Sequence, residues 1–408
     1  MSSRLSKATK HARKGVIIFL IFAISTFIFN FIFGLTDPDD PILNNNNKNQ
    51  ASPYLKPDQA LGEIPFPDIL SLETNPTSNT TYSLQDRDVL PNFPPVLNVY
   101  EINKPREKLG NVAKGNEVAS ALELNPNGRI ISDNVLLWQS PDTTRSLTYN
   151  KLLEKWGYTI DLSKEKLDLE ILSTLNTISD ENYYDSIGNS VISALGLNNN
   201  YFDKSNNKIY YVNYDGVNKL SEASSPRLSK FVHITQFKSI VGSEIDPDYR
   251  PKENELQYSN LLSDVRKINY LSGVADILVR GDMEQIVPGL VKFDYHEFNY
   301  GLKGIYNSLN STSAFLKLQN NEGVLYYLKL KGEDIFAAHQ NLNVLEYKVK
   351  ATDTQIIYIE PNEWIESEPW TNYLQPYYLF EGVAILEDGR EADFAIILPA
   401  LTDDEYLK

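Results

Sequence analysis

Residues 373–400 read YLQPYYLFEGVAILEDGREADFAIILPA. Two runs rich in aromatic and β-branched side chains meet at Asp388-Gly389, a pair whose tolerance of left-handed backbone suits a tight hairpin turn. The stretch predicts two long antiparallel strands, and with them a sheet at the C-terminal end of the chain. Working backwards, VLEYKVK (344–350) and QIIYIEP (355–361) read as another strand pair. AFLKLQ (314–319) and VLYYLKL (324–330) read as strands flanking the turn Asn320-Asn321-Glu322-Gly323, and Tyr300 to Leu309 as a short helix before them.

Upstream the pattern is mixed. YFDKSNNKIYYVNY (201–214) alternates on both sides of Asn206-Asn207, a hairpin signal. Tyr184, Ile187, Val191, Ile192 and Leu195 fall at helical spacing, with Gly196 as the stop. VLLWQS (135–140) and RSLTYNKLL (145–153) read as strands around Pro141-Asp142-Thr143-Thr144, and residues 106–122 as a helix ending before Pro126. Antiparallel sheets with few helices define an α+β class.

At the other end, Gly15 to Leu35 reads GVIIFLIFAISTFIFNFIFGL, 21 residues without a charge. At about 1.5 Å per residue this matches the hydrocarbon thickness of a bilayer. Five basic residues (Arg4, Lys7, Lys10, Arg13, Lys14) precede it and Asp37, Asp39 and Asp40 follow. Basic flanks stay in the cytoplasm, so the reading is a single-pass signal anchor with its N-terminus inside and the rest extracytoplasmic. A cleaved signal peptide fits less well, because the apolar run is long and lacks a small-x-small cleavage site.

Length and composition divide the remainder. A chain of 408 residues exceeds what one core usually serves. The expected order is a basic cytoplasmic segment (1–14), the membrane helix (15–35), a disordered stalk (36–59) and an extended proline-rich arm (60–85). A first α+β domain (86–200), a second with the C-terminal sheet (201–400) and a short tail (401–408) follow. The stalk, DPDDPILNNNNKNQASPYLKPDQ, has too little apolar surface to offset the cost of ordering.

There is no cysteine, which removes disulfides, thiolate metal sites and cysteine nucleophiles and leans towards a bacterial exported protein. Net charge is −16, and the part beyond residue 36 holds 33 basic against 54 acidic residues. So acidic a body is repelled by nucleic acid.

The segments LGEIPFP, LPNFPPVLNVYEI, LLWQSPDTTRSLTYNKLLEKWGY and the closing hairpin occur together here. In that combination the chain resembles an uncharacterised family of single-pass extracytoplasmic proteins from candidate-phyla-radiation bacteria. FNYGLKGIYNSLNSTSAFLKLQ is similar to that family's helix and following hairpin strand, with Gly301 where a proline is usual. The resemblance covers most of residues 60–400 and implies topology and element order. More distantly, the architecture is similar to PepSY-like domains and to membrane-anchored regulators of a Gram-positive sensor kinase. Neither likeness brings catalytic residues.

Familiar catalytic spacings are missing. Of four histidines, His11 precedes the anchor, and His233, His296 and His339 stand far apart without a paired motif; satisfied or surface roles outweigh a zinc site. Ser163–Lys166 and Ser205–Lys208 match S-x-x-K by chance spacing. Gly110–Gly115 lacks the lysine and hydroxyl that a phosphate loop needs. Asp246, Asp248 and the run Glu360, Glu363, Glu366, Glu368 offer hard oxygens for calcium, but match no EF-hand loop. The best binding candidate is aromatic: Trp364, Trp370, Tyr373, Tyr377 and Tyr378, with Phe380. Exposed, these would stack on sugars or hold a partner; otherwise they cap the core of the final sheet, which is the favoured reading.

The expected protein is therefore a non-enzymatic, membrane-anchored interaction or regulatory module with no cofactor, meeting a protein partner at the outer membrane face. The alternatives are a glycan-binding protein and a carboxylate-based cell-wall hydrolase. A cleft with two converging carboxylates would favour the hydrolase. Coplanar exposed Trp364 and Trp370 would favour the glycan binder, and a flat apolar surface the protein partner.

Overall fold

The computed structural model describes residues 52–74, 80–85, 89–107, 111–164, 181–197, 207–215, 219–250, 258–280 and 289–407. The expected membrane helix, most of the stalk, Lys166, Ser205 and Gly110 lie outside these residues. Among the described residues no helix is long and apolar enough to cross a membrane.

In chain order the strands are β1 (Thr81–Leu84), β2 (Val96–Ile102), β3 (Arg129–Ser132), β4 (Val135–Gln139), β5 (Arg145–Asn150) and β6 (Lys155–Ile160). Next come β7 (Lys208–Tyr214), β8 (Leu220–Glu222), β9 (Phe231–Gln236), β10 (Lys238–Ser243), β11 (Leu261–Lys267), β12 (Ala275–Arg280) and β13 (Leu290–Tyr295). The last are β14 (Tyr300–Asn307), β15 (Val324–Leu330), β16 (Val344–Val349), β17 (Gln355–Glu360), β18 (Tyr373–Leu386) and β19 (Glu391–Pro399). Three α-helices join them among the described residues: α1 (Asn111–Ala121), α2 (Glu181–Ala194) and α3 (Ser311–Gln319). The protein is mostly β-sheet with few helices.

The strands make two sheets. One has nine strands in the order β3-β4-β5-β6-β13-β12-β9-β7-β8. The other has ten, built around the β18–β19 hairpin that the sequence announces, with Gly389 at φ +84 in the turn. Most ladders are antiparallel; β1 with β16 and β11 with β17 are parallel.

The expected division near residue 200 does not follow the sheets. β6 pairs with β13, so strands from both sides of residue 200 share the nine-stranded sheet. β2, from the expected first domain, pairs with β14 and β18 in the other. Pro53 to Lys408 form one unit. The chain crosses between sheets where spacers are short: Phe237 alone separates β9 from β10, residues 268–274 join β11 to β12, and residues 296–299 join β13 to β14.

The crossing points are tightly packed. Phe237 is fully buried. Gly273 lies so near β9 that a Cβ there would come within 2.3 Å of the Gln236 carbonyl oxygen. That approach lets the Val274 amide donate to the same carbonyl at 2.9 Å, and only glycine permits it.

Two expectations exchange places. Tyr300–Asn307 is a strand paired with β2, and AFLKLQ belongs to α3. Gly301 and Gly304 disfavour a helix in the first segment. Asn310 caps the second: its side chain accepts from the Ser313 amide at 2.8 Å, and Ala314 and Leu318 turn inward at helical spacing. β16 and β17 do not pair with each other either. Both lie along β18, which is long enough to seat β16 at residues 382–386 and β17 at 375–379.

Residues 52–59, expected in the stalk, are docked. Tyr54 bridges Ile245, and Asp58 accepts the Ile305 amide at 2.8 Å. The arm continues over the ten-stranded sheet, with Ile64 fully buried, and ends as β1 on β16.

α1 and α2 cover one face of the nine-stranded sheet. Val118, Ala119, Leu122, Ile187, Val191 and Ile192 pack there on Leu147, Tyr158, Phe293, Ile277 and Ile234. Gly115 makes room in this core: a Cβ there would strike the Trp138 indole, which donates to Asn116 at 2.9 Å.

Candidate functional site

The other face of the nine-stranded sheet carries polar side chains through its middle. Strand alternation puts every second residue there, and the register aligns them in two rows. Thr148, Gly157, Asp294, Asp276, Thr235 and Lys208 are successive neighbours across β5, β6, β13, β12, β9 and β7. Beside them run Ser146, Thr159, Lys292, Leu278, His233 and Tyr210.

Over the centre of these rows lies a cavity of about 390 Å³. Its floor includes His233, Asp276, Lys292 and Asp294, and its side includes Asn269, Leu271 and Ser272 from the β11–β12 crossing. Ile335, Phe336 and Ala337 close it. They belong to the β15–β16 connection, which reaches the nine-stranded sheet because Asp334 accepts the Glu222 amide at 2.8 Å. Phe336 then packs edge-on against Tyr210 and His233. A second chamber of about 530 Å³ shares Asn269, Ser272, Asp276 and Asp294 and adds Lys155, Lys267, Tyr295, His296, Asn362 and Glu363.

The electrostatics differ between the two aspartates. Asp276 Oδ1 accepts from Thr235 Oγ1 at 3.0 Å and from the Gly273 amide at 3.3 Å, with His233 Nε2 at 3.6 Å. Burial pushes its carboxyl up to about 7, against which those hydrogen bonds work. Asp294 is more open and faces Lys292 Nζ at 3.1 Å. Burial pushes His233 down to about 4, with Lys292 adding to the effect. His296 is held down to about 2 by burial, then by Lys267 and Lys155. Both imidazoles are therefore neutral at physiological pH, and His233 Nδ1 and His296 Nε2 are buried without a hydrogen-bond partner.

Behind the second chamber sits a buried ionic network. Lys267 pairs with Glu360, which is fully buried and also accepts the Tyr300 hydroxyl. Lys267 Nζ donates to the His296 carbonyl at 2.8 Å. Lys238 meets Glu297 at 2.5 Å, and the Tyr295 hydroxyl donates to Glu297 at 2.6 Å. These contacts hold the β13–β14 crossing against β11 and β17. They leave Glu360 no role as a calcium ligand, while Glu363, Glu366 and Glu368 are exposed. Asp246 and Asp248 form a local turn, with the Asp248 amide on Asp246. Among the described residues no three His, Asp or Glu side chains gather closely enough to hold a metal ion.

The aromatic candidates are dispersed. Tyr378 is fully buried in the core above β18 and donates to the Leu309 carbonyl at 2.7 Å. Its neighbour Tyr377 enters a separate core on the opposite face. Tyr373 packs at the margin of the first core, and Trp364 packs on Ile102 and Leu374 under Lys104, 4.9 Å from its ring. Trp370 is half-buried in a short turn. The five make no common surface. His339 stands apart from the cleft, against the Glu73 carbonyl.

The residues that do converge carry a fainter signal. FVHITQ (231–236) and LVKFDY (290–295) place a polar residue at every second position of an apolar strand. That alternation marks one water-facing or ligand-facing side, but nothing in either run shows that they share a cleft. No protein-family model, curated protein or solved structure matches the chain.

Proposed function

We propose that this chain is a membrane-anchored extracytoplasmic interaction or regulatory module without catalytic activity, and that its recognition site is the cleft between the two sheets. The observation that carries the reading is the cleft's construction. Polar groups from three central strands converge under a connection borrowed from the other sheet, beside buried ion pairs. Concave sites with a few convergent polar groups are where small ligands bind. The anchor is Gly15–Leu35, with basic residues inside and the two-sheet body outside. The family resemblance supports that topology. A protein partner at the outer membrane face would receive the bound state.

In-cell crosslinking followed by mass spectrometry tests this, with the same body carried on an unrelated anchor as control. A specific membrane protein should be enriched with the native chain. Failure to enrich any protein above background with either anchor would sink the regulatory part of the reading.

A second reading, hydrolysis of wall glycan, is favoured by one specific feature. Asp276 and Asp294 lie directly opposite each other on β12 and β13, where side chains start about 5 Å apart, so the cleft holds a neighbouring pair of carboxyls, the groups such hydrolysis uses. Burial pushes the Asp276 carboxyl up to about 7, the direction a general acid needs, and Asp294 faces Lys292. Against it, both carboxylates are already engaged by protein donors. Release of reducing ends from purified wall glycan, abolished in Asp276→Asn, would decide for hydrolysis.

A further inference from the structure

We infer that the cleft takes a neutral, polyhydroxylated ligand, a short saccharide lying across the strands with one ring face under Phe336. This rests on the cleft being the recognition site, and specifies what it recognises.

Three observations support it. The first is the pairing of surfaces. A pyranose ring is apolar on its faces and lined with hydroxyls at its rim. The smaller chamber sets Ile335, Phe336 and Leu278 against Asp276, Asp294, Asn269 and Ser272. Aromatic rings suit the C–H face, and carboxylates, amides and hydroxyls accept and donate at the rim. Its volume of about 390 Å³ lies within the roughly 300–1,000 Å³ usual for small-ligand sites.

The second is the presence of donors and acceptors together on the chamber walls. Asn269 and Ser272 line both chambers and each offers a donor and an acceptor, and Lys155 and Asn362 add donors in the larger one.

The third is charge and spacing. Asp294 is matched by Lys292, and Lys267 by Glu360. A phosphate would face two aspartates, with Glu363 beside them in the larger chamber. The polar rows continue beyond the cavity through Gly157, Thr159 and Thr148. They step from strand to strand at about 4.8 Å, close to the repeat of one sugar ring. The chambers share four residues, so more than one ring is accommodated.

The test is isothermal titration of the full chain in a detergent without a sugar headgroup. The probes are N-acetylglucosamine, its trisaccharide, cellobiose, spermidine and inorganic phosphate. We expect saturable binding of a neutral saccharide, tighter for oligomer than for monomer. Asp294→Asn and Phe336→Leu should each weaken it by about tenfold or more, with the thermal midpoint unchanged. Using two variants from different elements, each checked for folding, separates lost contacts from lost structure. Binding of spermidine or phosphate in place of saccharides would overturn the ligand class and leave the cleft as a site. Saccharide binding indifferent to both variants would place it elsewhere and overturn the inference. Absence of saturation by every saccharide would also overturn it, while the crosslinking result decides separately on the module.

Discussion

The two sheets handle burial differently. In the β18–β19 hairpin both faces are apolar: Tyr378, Phe380, Phe394, Ile396 and Leu398 enter one core, and Tyr377, Leu379, Ala395 and Ile397 another. In β13, Leu290, Val291, Phe293 and Tyr295 enter a core, while Lys292 and Asp294 face the cleft. A doubly buried sheet spends every position on packing. A sheet with one helix-covered face leaves alternate positions free for recognition, provided polar groups there keep partners. Asp276, with three neighbours around one oxygen, shows how closely that condition is met.

Adjacent residues on β13 give the sharpest test of this contrast. Phe293→Ala should cost about 3–5 kcal/mol through the cavity it opens, measured by chemical denaturation. Asp294→Asn should stay within about 0.5 kcal/mol while impairing ligand binding. Equal losses of stability would mean that the two faces are not specialised. Lys267→Met should be as severe as Phe293→Ala, about 3–5 kcal/mol, because it strands Glu360 in the interior. Adding Glu360→Gln should restore much of the loss.

A smaller effect appears in the pH dependence of unfolding. Asp276 is raised from 3.8 to about 7 in the folded protein, so its contribution is present at acid pH and fades as pH rises from about 4 to about 7. His233 is depressed from 6.5 to about 4, so its contribution is present above 6.5 and is lost on acidification through that window. His296 acts in the same direction as His233. The slopes oppose one another. Asp276→Asn should therefore make stability climb more steeply with pH between about 4 and 7, whereas His233→Gln should flatten or reverse the climb. Thermal midpoints across that range provide the check, and a parallel shift in both variants would contradict the assignment.

The smallest effect lies far from the cleft. Asn310→Ala should cost about 1 kcal/mol through loss of the α3 cap, with saccharide and partner binding intact. A change in binding would mean that the ten-stranded sheet participates more directly than its packing suggests.

How much was legible varied by element. The β18–β19 hairpin, α2 and the β4–β5 pair follow from local pattern: alternation, 3.6-residue spacing and turn residues. At 300–319 apolar content alone does not separate strand from helix; Gly301 and Gly304 in the strand and the Asn310 cap of α3 do. The aromatic run 364–378 was visible as composition, but alternation along β18 sends Tyr377 and Tyr378 to opposite cores. The cleft was hardly legible. Asp276 and Asp294 are opposed only through the β12–β13 register, and Phe336 arrives from a connection outside the nine-stranded sheet.

By itself the sequence determined the local periods: which segments extend, which coil, and which strands have one polar side. It also determined an apolar span preceded by cations, the basis for the proposed anchor. Only tertiary structure decided which sheet each strand joined, and hence that strands on both sides of residue 200 share one. Periodicity is a property of neighbours in the chain. Pairing depends on long-range register and on crossings as short as Phe237, where one residue carries the chain from one sheet to the next.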